Sequence, residues 1–144
     1  MPLPLLTAAE IRTFLAREFP QIDGAFAVEA VGPLSARMRL IYHDRHLRPG
    51  GTISGPAMFG LADVSLYAAI LANIGPLGLA VTTNLNINFL RKPEPGDLIG
   101  QAKLIKLGKR LAVGEVSIFA EGGDALVAHA VGTYSIPPHP NTVS

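Results

Sequence analysis

Gly50-Gly51-Thr52-Ile53-Ser54-Gly55-Pro56 leads straight into Ala57-Met58-Phe59-Gly60-Leu61-Ala62-Asp63-Val64-Ser65-Leu66-Tyr67-Ala68-Ala69-Ile70-Leu71-Ala72. The opening is suited to starting a helix. Ser54 or Gly55 fits the N-cap, and Pro56 fits the first helical position, where a missing N–H costs nothing. From Ala57 to about Asn73 the segment is apolar on nearly every side, which makes it a buried helix or a membrane span. Asp63 is its one acid. A lone buried carboxylate costs several kcal/mol unless something compensates it. It is therefore either a hydrogen-bonded structural Asp or a working one.

The hydrophobic fraction, 49%, invites the membrane reading. No uncharged apolar run reaches the roughly 18 residues that a span needs. Asp63 interrupts the segment at one end, and Asn73, Gly75 and Pro76 at the other. Met1-Pro2-Leu3-Pro4-Leu5-Leu6 lacks a basic stretch and a long apolar one, so no signal peptide is expected. The expectation is a soluble, cytoplasmic protein with no membrane partner, part of whose apolar surface is covered by another subunit. The absence of cysteine excludes disulfides, thiolate metal sites and Cys nucleophiles, and it fits that compartment. A net charge of +1, no Trp and 6% aromatics give no reason to expect nucleic acid.

On the N-terminal side, Thr7-Ala8-Ala9-Glu10 reads as a capping box. Ile11, Phe14, Leu15 and Phe19 then share one face of a helix over 7–19, closed by Pro20. Ala25 to Val31 and Ala36 to Tyr42 read as strands joined by a turn at Gly32-Pro33. His43 to Gly51 is a polar loop carrying His43, Asp44, Arg45, His46 and Arg48.

Past the helix, Gly75-Pro76-Leu77-Gly78 starts the return, and strand follows strand from Leu79. In the first, Thr82, Asn84, Asn86 and Asn88 alternate with Thr83, Leu85, Ile87 and Phe89, which puts a row of amides on one face. Strands are then expected at Leu98 to Leu107, Leu111 to Ala120 and Ala125 to Ile136, with turns at Arg91 to Asp97, Gly108-Lys109-Arg110 and Glu121 to Asp124. The tail from Pro137 is expected to fray. The 144 residues form one α+β domain, a curved antiparallel sheet wrapped around one long helix.

The order and spacing of three pieces carry a resemblance: the turn and helix with Leu61-Ala62-Asp63, Asn88-Phe89-Leu90-Arg91-Lys92-Pro93 with Gly96-Asp97 after it, and Gly108-Lys109-Arg110. Over about residues 25–136 the chain resembles the hotdog-fold acyl-CoA thioesterases of the phenylacetic-acid-degradation type, in the 4-hydroxybenzoyl-CoA thioesterase superfamily. The resemblance implies hydrolysis of an acyl-CoA thioester. In that family a His-Gly-Gly turn opens the central helix, and a carboxylate on the helix acts as base or nucleophile. The carboxylate position matches Asp63 and the first glycine matches Gly55, whose N–H would polarise the thioester carbonyl. This sequence departs at two positions: Ser54 stands for the His, and Pro56, which cannot donate a hydrogen bond, for the second glycine.

Gly55 and Asp63 are eight residues apart. On one helix that is about 12 Å, too far for one thioester carbon to touch both. If both act, they come from different protomers, so the chemistry implies a homodimer or a dimer of dimers (a homotetramer) with its sites at an interface. Tyr67, four residues after Asp63, shares its helical face and is a candidate for lining the acyl pocket, or simply core. Ser54 either donates to the carbonyl or caps the helix. Asn84 and Asn86 either face the site or belong to a polar outer face. Arg91, Lys109 and Arg110 are candidates for the CoA phosphates, with Lys92 and Lys106 behind them. No metal and no cofactor beyond the substrate's own CoA is expected. Two alternatives remain. One is an acyl-thioester hydratase or dehydratase using His43 or His46 from the loop. The other is a non-catalytic acyl-CoA-binding protein.

Overall fold

The computed structural model describes residues 3–76 and 80–138. Leu77, Gly78 and Leu79 in the return from the helix, and the tail from 139 with His139, lie outside the described residues. The order of elements is α1 (Ala8–Glu18), β1 (Phe26–Gly32), β2 (Ser35–Leu40), α2 (Gly55–Ile74), β3 (Val81–Phe89), β4 (Leu98–Leu107), β5 (Leu111–Ala120) and β6 (Leu126–Ser135). The six strands form one antiparallel sheet in the order β1-β2-β4-β5-β6-β3. The sheet curls around α2, whose residues from Leu61 to Ala72 are buried except for Asp63. This is the hotdog architecture.

Among the described residues α2 is the one helix long and apolar enough to cross a membrane, and two-thirds of it is buried within this chain. Here it is a core helix. It starts as its sequence dictates. The Ser54 hydroxyl accepts from the Ala57 N–H at 3.3 Å. Gly55 is already helical although it precedes proline. A side chain disfavours that conformation before proline, and glycine lacks the Cβ that would clash. Gly75 ends the helix at φ +102°, donating its N–H to Leu71 O.

The helix lies close to the sheet because three strands present glycine to it. A Cβ on Gly100 would come within 2.6 Å of Ser65 Oγ, and one on Gly114 within 2.6 Å of a Leu66 methyl. One on Gly132 would sit 2.7 Å from methyls of Leu66 and Leu85. Ser65 is fully buried and donates to Leu61 O at 2.6 Å, so it is a core residue.

The capping box of α1 forms, with Thr7 and Glu10 bonding each other's backbone N–H. Its apolar face, Ile11, Phe14 and Leu15, is buried. The hairpin between β1 and β2 turns one residue later than expected, at Pro33-Leu34, because Gly32 pairs with Ser35. Leu34 takes the left-handed conformation at φ +53°. Asn73 at the end of α2 accepts from the Leu34 N–H at 3.0 Å and holds that turn against the helix.

A β-bulge changes β3 more consequentially. Thr82 pairs with Tyr134 and Asn84 with Thr133, so Thr83 is the extra residue. Simple alternation puts Thr82 in the outward amide row. The bulge instead turns it inward, onto the side of Leu85 and Ile87.

Candidate active site

Asp63 is half-buried at the middle of α2. Its Oδ1 accepts from the Thr82 hydroxyl at 2.5 Å and from the Tyr134 hydroxyl at 2.8 Å. Tyr134 also reaches the Asp63 backbone oxygen at 3.1 Å. These bonds are what make a carboxylate tolerable on an apolar helix. Two donors on one oxygen leave Oδ2 without a donor among the described residues.

A cavity of about 660 Å³ opens over the carboxylate, lined among others by Glu18, Phe19, Phe26, Val64, Tyr67 and Val81. Four aromatic side chains, Phe19, Phe26, Tyr67 and Tyr134, stand in its wall. The Tyr67 and Tyr134 rings stack at 6.1 Å, and Phe19 meets Tyr67 edge-on at 6.5 Å. Burial, then the charge of Asp63, pushes the Tyr134 hydroxyl well above its usual range. Burial, with Glu18, raises Tyr67 as well. Both phenols therefore stay protonated at neutral pH and act as donors, not bases.

Gly55 lies in a different cavity. About 500 Å³ in volume, it is lined by Arg48, Ile53, Met58, Phe89, Arg91 and Lys92, among others. The first turn of α2 has few amides to spare. Ser54 N–H is given to His46 O at 2.7 Å, Ala57 N–H to the Ser54 hydroxyl, and Met58 N–H to Ser54 O. Pro56 has none. The Gly55 N–H is thus the first-turn amide with no acceptor among the described residues, at the positive end of the helix. The Phe89 ring lies over Gly55, so that a Cβ there would be 3.2 Å from it.

Within one chain the expected site residues fall into two groups. Asp63 and Tyr67 share one cavity, and Gly55 and Arg91 share the other. Lys109 and Arg110 precede Leu111, which lies across β6 from Val81 at the Asp63 end of the sheet. Arg91 follows Phe89 at the opposite end, about 27 Å along a strand of β3's length. The basic residues do not make one rim on one chain.

Ser54 is the N-cap. Asn86 and Asn84 are exposed, line neither cavity, and lie in register with Val131 and Thr133 on the outward side of β6. His43 and His46 line neither cavity either. His46 works through its backbone, accepting from Ser54 and so shaping the turn before α2. Its ring is held neutral by burial, with help from Arg45 and His43. Asp97, part of the sequence signature, pairs with Arg39 at 2.9 Å and accepts from the Tyr42 N–H at 2.7 Å, a structural role.

Thr82 and Tyr134 are the residues that sequence reasoning missed. Thr82 was hidden by the bulge. Tyr134 alternates with Gly132, Ala130 and Ala128 on the inward face of β6, and that alternation was a readable signal.

Comparison with known proteins places this arrangement. Residues 50–127 match the model of the Thioesterase superfamily. A crystal structure of a candidate thioesterase from Silicibacter sp. TM1040 superimposes with a TM-score of 0.87, at 51% identity, covering 94% of each chain. The phenylacetic acid degradation protein PaaI of Thermus thermophilus superimposes with a TM-score of 0.71, at 25% identity, covering 82% of this chain and 99% of that one. A candidate esterase of Saccharolobus solfataricus is 27% identical over 92% of this chain and 81% of its own length.

Proposed function

Since the chain belongs to the Thioesterase superfamily, we propose that it hydrolyses an acyl-CoA thioester by carboxylate-assisted attack of water, at a site shared between two copies of the chain. The observation that carries this reading is the separation of the two halves of the machinery. Asp63 lines one cavity, with aromatic side chains around it, and Gly55 lines another, with basic ones, about two helical turns away on α2. A two-fold axis can bring the unlike cavities of two chains together. Gly55 and Arg91 of one chain would then meet Asp63, Lys109 and Arg110 of the other, gathering the cations around one substrate.

The edge of the sheet supports such an axis. Among the described residues β3 has no strand beyond it, and Val81, Phe89 and Leu90 on and beside it are exposed. An unprotected apolar edge of this kind is unusual in a monomer. A dimer, or a dimer of dimers, would cover it.

In the reaction, Asp63 takes a proton as the water oxygen bonds to the thioester carbon. The Gly55 N–H and the α2 dipole stabilise the oxyanion that forms. The intermediate collapses, the C–S bond breaks, and the proton passes to the departing CoA thiolate. Water and one carboxylate suffice, so the reading includes no metal and no cofactor, and it fits a cytoplasmic pool of acyl-CoA. The aromatic walls suit an apolar acyl or aryl group.

An acyl-CoA panel assayed for free thiol tests the proposal. Thiol release is expected. Change in the acyl chain without thiol would indicate a hydratase, and saturable binding with neither would indicate a binding protein. Arg110→Ala should raise KM for the responsive acyl-CoA more than it lowers kcat. Unchanged KM in this variant and in Lys109→Ala would remove the β4–β5 turn from the CoA site.

A further inference from the structure

We infer that Tyr134 is a positioning residue that selects which oxygen of Asp63 reacts: it holds Oδ1, and Oδ2 takes the proton from water. The inference rests on the function proposed above and goes beyond it.

Three observations support it. First, Oδ1 carries two hydroxyl donors, from Thr82 and Tyr134, while no described donor reaches Oδ2. An oxygen that already accepts two hydrogen bonds is a weaker base than its free neighbour. Second, Tyr134 is anchored independently of the carboxylate. It is 4% exposed, and its ring stacks on Tyr67. It can therefore impose an orientation on the Asp63 side chain. Third, its hydroxyl stays protonated, so its role at Oδ1 is fixed across the working pH range.

The remaining titratable groups that face the carboxylate do not substitute for Tyr134. Glu18 reaches the cavity from the end of α1, and its side chain is 49% exposed beside Arg17. Tyr67 comes from α2 itself, one turn on. The facing residues from the other elements, Phe26 of β1 and Thr82 of β3, do not titrate near neutral pH.

Tyr134→Phe removes the hydroxyl and keeps the ring. A hydrogen bond to a carboxylate favours its charged form, so removing one raises the pH at which the carboxylate protonates. The acid limb of the kcat/KM profile for thiol release should therefore move up by about one pH unit. Above that limb kcat should fall about tenfold with KM nearly unchanged, because the loosened carboxylate spends less time aligned with water. A residue that merely packs would lower the melting temperature and leave the acid limb where wild type has it, and that result would overturn the inference.

A second readout does not need turnover. Carbon NMR of carboxyl-labelled aspartate follows Asp63 directly, with Asp63→Asn identifying its signal. Its titration midpoint should rise in Tyr134→Phe, and an unchanged midpoint would overturn the hold on Oδ1. If wild type releases no thiol from any acyl-CoA, the function proposal fails. The NMR titration then still decides whether Tyr134 controls Asp63.

Discussion

Asp63→Asn should fold like wild type, bind acyl-CoA, and lose at least about 10²-fold in kcat, the usual scale for removing a general base. The geometry makes this a clean substitution. The amide oxygen of an asparagine can accept from Thr82 and Tyr134 as Oδ1 does now. The amide nitrogen then takes the place of Oδ2 and cannot receive a proton. Stability should change little, because the bonds that compensate the buried group survive and a half-buried charge is removed. If Asp63 served only structure, activity per folded molecule would be retained. Melting temperature and thiol release on one preparation distinguish the two, and full activity in a well-folded variant would remove Asp63 from the mechanism.

Gly114→Ala should be among the most damaging single-methyl changes in the sheet. Its new Cβ would stand 2.6 Å from a Leu66 methyl and 3.0 Å from the backbone oxygen of Lys103. The leucine can move, whereas the carbonyl belongs to the β4–β5 ladder and cannot without breaking register. Overpacking of this kind costs about 2 kcal/mol, within a usual range of roughly 1–3. For a domain of this size that lowers the melting temperature by about 6 °C. At Gly132 the nearest atoms, at 2.7 Å, are the ends of two leucine side chains, so Gly132→Ala should cost less. Equal stability of Gly114→Ala and wild type would mean that α2 does not rest on the sheet as closely as described.

Much of this was legible in the sequence because its signals are local. The cap at Ser54, the apolar run of α2 and the turns at Arg91 to Asp97 and Gly108 to Arg110 fix a helix and its strands by short-range chemistry. The strands Leu98–Leu107 and Leu111–Ala120 fall where their alternation puts them. Asp63 stood out because a carboxylate in such a helix demands compensation. What supplies the compensation was not legible. Thr82 lies 19 residues and Tyr134 71 residues further along the chain. Only sheet registry brings them to Asp63. In β3 the registry depends on a one-residue bulge at Thr83, which alternation cannot reveal. The same limit applies to the cations. Arg91, Lys109 and Arg110 look like one basic set in sequence, and strand direction divides them between opposite ends of the sheet.

That division bears on the central claim, that each active site draws Gly55 from one chain and Asp63 from another. Complementation between two inactive variants tests it most directly. Asp63→Asn lacks the base. Gly55→Val crowds the Phe89 ring and disfavours the helical conformation that residue 55 takes before Pro56, so the N–H is displaced. Produced separately, each should be nearly inactive. Produced together, half of the dimers are mixed, and each mixed dimer holds one site with an intact Gly55 and an intact Asp63, so about a quarter of wild-type activity should return. A co-produced pool of well-folded, mixed dimers that is no more active than either variant alone would contradict the two-chain site.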